Sequence, residues 1–400
     1  MGKESEVSRF VTGLYRGVTV LFWFSLYTYI PFLTPYIQDS GASYSMVGLI
    51  LGAYGLTQTV LRIPLGVFSD RTGRRKPFVL LGLACSALSA FGFLHLSSPL
   101  LLLLLRGLAG VSAASWVAFT ILFAGYFRPS ESARALSTMM VSLTIGNTAG
   151  MFIGGRGADL FGPSFAFLLA AAAAIVGFAL ALWLPESGRI QKSKMSLASF
   201  SSVVKDRGLR LGALMALVLQ MATFSTVFGF TPQYAVLIGA STASLANLAL
   251  ISSLPGVVAN YFVGRTFIPR YGESITAAIG LVMVGIFTVA IPFTGSLSSL
   301  YLTQVVAGFG RGIAFTTLMV MSVKAVSQEK RATAMGIFQA VYGVGMVAGP
   351  VVSGIISDLS ELRLSFVVVG IIALIASVVS ALTRRWVEFP IADREGTGMV

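Results

Sequence analysis

The sequence predicts an all-α polytopic membrane protein, with twelve transmembrane helices in two pseudo-symmetric bundles of six. Three observations predict it. The 400 residues are 56% hydrophobic and 11% charged, with a mean hydropathy of +0.85; soluble domains run roughly 45–50% apolar with about a quarter charged. Apolar runs recur at about 20-residue length, which a helix needs to cross a hydrocarbon core about 30 Å thick. The second half of the chain also repeats short stretches of the first, in order. Segments of about ten alternating residues, the mark of a membrane barrel, do not occur.

The spans follow one another closely. Span 1 (12–37) carries the aromatics Phe22, Trp23, Phe24, Tyr27 and Tyr29, and span 2 (44–68) carries Gln58 and Arg62. Span 3 (77–97) holds Cys85 and His95, the sole cysteine and histidine. Span 4 (99–127) contains Arg106 and Trp116, span 5 (134–158) a stripe of glycines with Asn147 among them, and span 6 (163–185) ends at a polar linker. That linker, 186–208, separates a first bundle (1–185) from a second bundle and short tail (209–400). Span 7 (209–237) carries Gln220, Phe224 and Phe228; spans 8 and 9 cover 243–267 and 273–293. Span 10 (298–325) carries Gln304 and Arg311, span 11 (332–357) Gln339 and Tyr342, and span 12 (362–384) completes the set.

Lys and Arg gather in alternate connections. One set comprises the N-terminal segment (Lys3, Arg9, Arg16), the loop after span 2 (Arg71, Arg74, Arg75, Lys76), the loop after span 4 (Arg128, Arg134) and the central linker. It continues with the loop after span 8 (Arg265, Arg270), the loop after span 10 (Lys324, Lys330, Arg331) and the tail (Arg384, Arg385, Arg394). The opposite connections hold Arg156 and Arg363. By the positive-inside rule both termini and the linker are expected on the cytoplasmic side of a multi-pass protein of the inner cell membrane. The polar, mixed-charge N-terminus lacks the pattern of a cleaved signal peptide.

The repeat is legible in three places. Thr34–Ser43 matches Thr231–Ser241 with one insertion, Arg106–Gly110 matches Gln304–Gly308, and Gly150–Leu160 matches Gly349–Leu359. Two parallel six-helix repeats imply a pseudo-two-fold axis along the membrane normal and a substrate site near the midplane.

The loop after span 2 reads Gly66-x-x-x-Asp70-Arg71-x-Gly73-Arg74-Arg75. It resembles the loop 2–3 signature of the major facilitator superfamily, and twelve spans in a 6+6 repeat extend the resemblance over essentially the whole chain. The resemblance implies alternating access by rocking of the two halves. It also implies a conformational latch in which Asp70 meets the start of span 11, with Arg134 as a second charged element. The arginines set topology as well, but topology requires neither Asp70 nor the glycines. Aligning Gly73 with Gly272 puts Pro269 opposite Asp70, so the latch is expected on one side. Span 5 carries Gly146, Gly150, Gly154 and Gly155, and span 11 carries Gly345, Gly349, Pro350 and Gly354. Small residues four apart form a packing and hinge surface. The span 5 stripe also resembles the family's antiporter signature, except that Met151 stands where that signature has proline.

Ionisable residues inside a membrane point to function. Arg106 and Arg311 lie within spans, and none of the 15 Asp and Glu residues lies mid-span. An unpaired buried cation is expensive, and guanidinium matches carboxylate or phosphate. Either carbonyls, glutamines and water satisfy these arginines, or an anionic group of the substrate does. The missing buried carboxylate points away from a lipophilic cation and toward an acidic or zwitterionic substrate. Candidate substrate contacts are Arg106, Arg311, Gln304, Gln58, Asn147, Tyr27, Gln220, Gln339, Tyr342 and Trp116.

These features predict a secondary transporter of a small organic molecule, a proton-coupled exporter, with Asp39 and Asp70 as coupling candidates. Operation as a uniporter or anion exchanger, import of an organic anion, and a non-transporting sensor or scaffold on the same fold are the alternatives. A phosphate-binding loop of the G-x-x-x-x-G-K-[ST] kind does not occur, and neither does a hydrolytic or redox constellation. No enzyme activity, cofactor or metal site is therefore expected. The net charge of +13 is spread over short loops, so nucleic acid is not an expected partner. The expected partners are substrate, bilayer and protons, with the chain a monomer.

Overall fold

A computed structural model describes residues 9–128, 131–186, 203–327 and 330–384. The described residues form helices long and apolar enough to span a bilayer: α1 (Arg9–Asp39), α2 (Tyr44–Thr72), α3 (Lys76–His95), α4 (Pro99–Ala124), α5 (Ser132–Phe161) and α6 (Pro163–Ala181). The second half begins with α7 (Arg207–Leu237). A stretch of 52 residues follows, Thr242–Phe293. At about 1.5 Å per residue it is more than twice the thickness of a hydrocarbon core. It breaks at Gly272, whose φ is 76°, giving α8 (242–271) and α9 (273–293). Then come α10 (Leu297–Lys324), α11 (Arg331–Leu359) and α12 (Leu362–Leu382). Twelve spans result.

Local chemistry starts these helices. Proline occupies the first turn of α3, α4 and α6, where its missing N–H costs nothing. Asp206 caps α7 by accepting from the Leu209 N–H at 2.8 Å, and Ser296 and Ser299 form a reciprocal capping box on α10.

The first helix of each half is broken at an equivalent place. α1 runs from Arg9 to Tyr27, passes through a tight turn at Ile30–Phe32 containing Pro31, and resumes at Leu33. α7 runs from Arg207 to Ser225, widens at Thr226–Phe230 and resumes at Thr231. The non-helical residue in the second break is Gly229, with φ −118° and ψ −111°. The repeat shows again in the turns. Gly41 and Gly239 have φ of 86° and 91°, and Gly73 and Gly272 have φ of 64° and 76°. A residue with a Cβ is strained in this region.

The chain divides into two compact units. The first comprises Met1–Ala42, Leu49–Ser193 and Ala240–Leu250; the second comprises Ser43–Gly48, Lys194–Gly239 and Ile251–Val400. Each unit thus includes the first residues of a helix whose remainder lies in the other. The chain changes unit inside α2, between Gly48 and Leu49, and inside α8, between Leu250 and Ile251.

The first unit packs around buried rings. Phe22 lies 4.4 Å from Phe119, and Phe93 stacks on Phe167 at 5.4 Å. The buried Tyr15 hydroxyl donates to the Phe119 carbonyl at 2.9 Å. The second unit packs around the ring of Phe338 and aliphatic and small side chains of α7, α9, α10, α11 and α12, including Ala216, Leu219, Leu281, Leu318 and Ala373. Leucines and isoleucines such as Leu104, Leu302 and Ile375 remain exposed along their helices, which suits a lipid surroundings and not water.

The glycine stripes bring backbones together. A Cβ at Gly146 would lie 2.5 Å from the Val20 carbonyl oxygen and one at Gly150 2.7 Å from that of Phe24, so α5 lies directly on α1. Gly345 and Gly349 do the same for α11 against Leu217 and Met221 of α7. At their far ends the stripes contact the borrowed segments. Gly155 faces Ala246 in the first unit, and Gly354 faces the Tyr44 backbone in the second.

Candidate functional site

The second unit carries an open cavity of about 250 Å³. Three elements supply its polar lining: Gln220 and Thr223 from α7, Ser252, Ser253 and Asn260 from α8, and Arg311 from α10. Phe228, at the break in α7, and Phe315 supply aromatic surface. The cavity exists because glycines keep α8 and α10 close while leaving space beside them. Gly256 and Gly312 meet backbone to backbone, with no side chain to fill the adjoining volume. Asn260 and Thr316 share a hydrogen bond of 2.7 Å.

Arg311 is the charged residue of this lining. Its Nη2 donates to the Ser252 carbonyl at 2.8 Å. Gln304 is fully buried beside the cavity and does not line it. Its Oε1 accepts from Ser252 Oγ at 3.5 Å and its Nε2 donates to Thr303 Oγ1 at 3.2 Å. Gln304 therefore holds the serine that partners Arg311. Tyr342 packs on Phe338 at 5.4 Å and on the cavity residue Phe315 at 5.9 Å, one layer behind the lining. Gln339 is half-buried on the same helix and is not among the lining residues.

The first unit holds a second polar cluster. The Arg106 guanidinium is buried and lies 4.3 Å over the Tyr54 ring. Tyr27 is within hydrogen-bonding reach of Tyr54 and in the field of Arg106. Trp23 packs on Tyr27 at 5.8 Å and on Trp116 at 5.2 Å. Arg106 Nε and Nη1, Trp23 Nε1, Gln58 Oε1 and Asn147 Oδ1 are buried with no hydrogen-bond partner among the described residues. So five of the anticipated polar or aromatic residues, Tyr27, Gln58, Arg106, Trp116 and Asn147, belong to the first unit, and Gln220, Gln304, Arg311, Gln339 and Tyr342 to the second.

The charged loop after α2 closes on itself. The resemblance implied that Asp70 meets the start of span 11; its hydrogen-bonded partner here is Arg75, five residues on. Arg75 is buried, and its Nη1 also donates to Ser69 Oγ at 2.6 Å. The Arg75 and Lys76 amides donate to Glu186 at 2.7 and 3.1 Å, so a carboxylate from beyond α6 caps α3. Burial and the Glu186 charge push the nearby Tyr126 phenol well up, so it stays protonated and donates to the Pro185 carbonyl. Arg71 and Arg74 are exposed, Gly73 makes the turn, and a Cβ at Gly66 would lie 3.8 Å from Val117. The side chain of Arg134 lies outside the described residues, as do linker residues 187–202.

Sequence reasoning missed the ion pair beside Gly272. Glu273 is buried and accepts from Lys324 Nζ at 2.6 Å. The clue was the alignment itself, since Glu273 follows Gly272 where Arg74 follows Gly73. Asp39 is exposed at the end of α1. Two further carboxylates serve helix starts. Asp159 accepts from the Ala243 N–H at 2.9 Å, and Asp358 from the Tyr44 and Ser45 N–H groups at 2.9 and 2.8 Å.

Comparison with known proteins agrees with this architecture. A family profile for the Major Facilitator Superfamily matches residues 17–276 and 235–395. A multi-drug resistance efflux pump PmrA homolog of Lactococcus lactis is 25% identical over 89% of this chain and 90% of its own length. The staphylopine export protein of Staphylococcus aureus is 23% identical over 87% of this chain and 89% of its own. Among solved structures, a bacterial homolog of the human lysosomal transporter Spinster, inward-facing and unoccupied, superposes with a TM-score of 0.78. That match has 17% identity and covers 96% of this chain and 98% of the other. With twelve helices in two repeats and a family match over most of its length, the chain belongs to the major facilitator superfamily of membrane transporters.

Proposed function

We propose that this transporter exports a small acidic or zwitterionic organic molecule across the cytoplasmic membrane in exchange for protons. The observation that carries the reading is Arg311. It lines the second unit's cavity, is held by a backbone carbonyl, and has no carboxylate beside it in the lining. At a separation of about 4 Å and an effective dielectric near 20, two unit charges interact by about 4 kcal/mol. That amounts to roughly three decades of affinity for an anionic over an uncharged head group, and a cationic one is repelled by a similar amount. Phe228 and Phe315 take the apolar part of the molecule, and Gln220, Thr223 and Ser253 its polar substituents. Two full-length relatives carry efflux or export in their names, which supports the outward direction.

In this reading the termini and the linker face the cytoplasm, the bundles 1–185 and 209–400 are the moving bodies, and the glycine stripes are their hinges. Asp70 with Arg71, Arg74 and Arg134 forms the latch. Asp39 and Asp70 are the coupling candidates. The test is counterflow and gradient-driven flux in proteoliposomes with matched acids, zwitterions and monocations. The expected result is acid or zwitterion movement out of the cytoplasmic face, driven by an imposed pH gradient and lost in Arg311→Gln. Flux of monocations alone overturns the substrate class, and flux indifferent to the pH gradient overturns proton coupling.

A further inference from the structure

We infer that the second unit's cavity selects an ω-amino acid, a zwitterion whose carboxylate meets Arg311 and whose remote ammonium is received by the side-chain oxygen of Asn260. The inference rests on the reading of that cavity as the site of an acidic or zwitterionic molecule, and it narrows the class to the second.

The Asn260 amide has a definite direction. Asn260 lines the cavity from α8, on the same helix as Ser252. One end of its amide points into the seam between α8 and α10, which glycines leave bare; a Cβ at Gly312 would collide with the Gly256 carbonyl. The groups at that end are Thr316 Oγ1 at 2.7 Å, the Gly312 carbonyl at 3.1 Å and the Gly256 carbonyl at 3.3 Å. Carbonyl oxygens only accept, so the amide atom facing them is the nitrogen, and its hydrogens are shared among these acceptors. The donors of Asn260 are therefore used within the protein. What the residue has left for a ligand is Oδ1, which can only accept.

The cavity is thereby polar in a fixed sense. Arg311, held at Ser252, presents donors and a positive charge, and Asn260 presents an acceptor. A simple acid satisfies the arginine and leaves the amide oxygen to water. An ammonium satisfies that oxygen with a charge-assisted hydrogen bond, stronger than one between neutral groups. Its place on the ligand is also constrained. Ser252 and Asn260 are separated by a helical rise of about 12 Å. The two side chains and their hydrogen bonds cover part of that distance, and the ligand covers the rest. An ammonium on the carbon next to the carboxylate falls short of Asn260 and sits against the guanidinium, where repulsion is strongest. An ammonium at the far end of a methylene chain reaches Asn260 and stands clear of Arg311. Phe228 and Phe315 give the chain apolar surface.

The test is titration calorimetry on the full-length protein in detergent with three probes: hexanoate, ε-aminohexanoate and its isomer α-aminohexanoate. The ε-amino acid is expected to bind about tenfold more tightly than hexanoate, and the α-amino acid more weakly than either. In Asn260→Leu the preference for ε-aminohexanoate over hexanoate is expected to vanish. In Asn260→Asp, which keeps an acceptor and adds a negative charge, the preference is expected to rise several-fold; that variant decides the matter where the leucine variant does not fold. Equal affinity for hexanoate and ε-aminohexanoate, with both lost in Arg311→Gln, overturns this inference and leaves the acidic reading standing. A preference that survives Asn260→Leu, or that Asn260→Asp does not raise, overturns the role of Asn260. Binding of neither acid overturns the reading of the cavity and this inference with it.

Discussion

Asp159 and Asp358 occupy corresponding places in the two repeats and do the same work. Each lies at the end of a glycine-striped helix and accepts hydrogen bonds from the first turn of a helix that starts beside it: Asp159 from Ala243, Asp358 from Tyr44 and Ser45. Helix starts present unsatisfied N–H groups and a partial positive charge, so an anionic acceptor suits them. Gly155 and Gly354 let the capped segments approach. Replacing either aspartate with alanine is expected to cost about 1 kcal/mol, as for other N-caps, and replacement with asparagine clearly less. Because the two caps lie in different units, the double alanine variant is expected to lose the sum of the single effects. Thermal unfolding of the five variants in detergent checks this; asparagine costing as much as alanine would show that capping is not the role.

Gly312 is expected to be intolerant of alanine. Its Cβ would lie 2.9 Å from Ala259 Cβ and closer still to the Gly256 backbone, so α8 and α10 must separate. Those helices carry Ser252 and Arg311, whose hydrogen bond depends on the same approach. Overpacking of this kind costs about 1–3 kcal/mol. Flux by Gly312→Ala is expected to fall more than its thermal stability accounts for. The control is Gly336→Ala, where nothing lies within 4 Å and a loss of about the same size would refute the argument.

The Glu273–Lys324 pair gives a third prediction. Glu273 is 5% exposed while the Lys324 side chain is 63% exposed, so the two partners are not equivalent. Removing the lysine leaves a buried carboxylate without its donor, whereas removing the glutamate leaves an ammonium that water can serve. Lys324→Ala is expected to lower thermal stability more than Glu273→Gln, with Lys324→Arg restoring most of it. The reverse order would place the value in contacts of the glutamate other than Lys324.

Much of this was legible in the sequence because the bilayer simplifies the problem. Span length follows from hydropathy and the repeat from three short matches in order, while the helices that the glycine stripes meet were not named by the sequence. The breaks in α1 and α7 were missed because helix continuity there depends on local geometry, at Pro31 and Gly229, and an apolar run continues through both. The candidate residues sort between two sites, because sequence alone cannot say which face a polar residue takes. Gln304 illustrates it: its place on the same face as Arg311, seven residues earlier, was readable, but not that it serves Ser252 behind the cavity. Tyr54 and Ser252 gave no signal at all, since a tyrosine and a serine in a membrane helix are common and their roles arise from what lies opposite.

Asp70 was the residue that topology could not explain, and its contact with Arg75 changes how it must be tested. Arg75 is buried with Asp70 and Ser69 as its side-chain partners, so Asp70→Asn removes the charge that neutralises a buried guanidinium. Breaking such a pair from one side is costly, whereas removing both charges is often close to neutral. Asp70→Asn is therefore expected to lower thermal stability, and Asp70→Asn with Arg75→Gln to restore much of it. Turnover separates the two roles. If Asp70 acts as a latch, flux remains low in the stabilised double variant while equilibrium binding of the transported acid stays near that of the unaltered protein. Flux that recovers together with stability would reduce the carboxylate to the partner of Arg75.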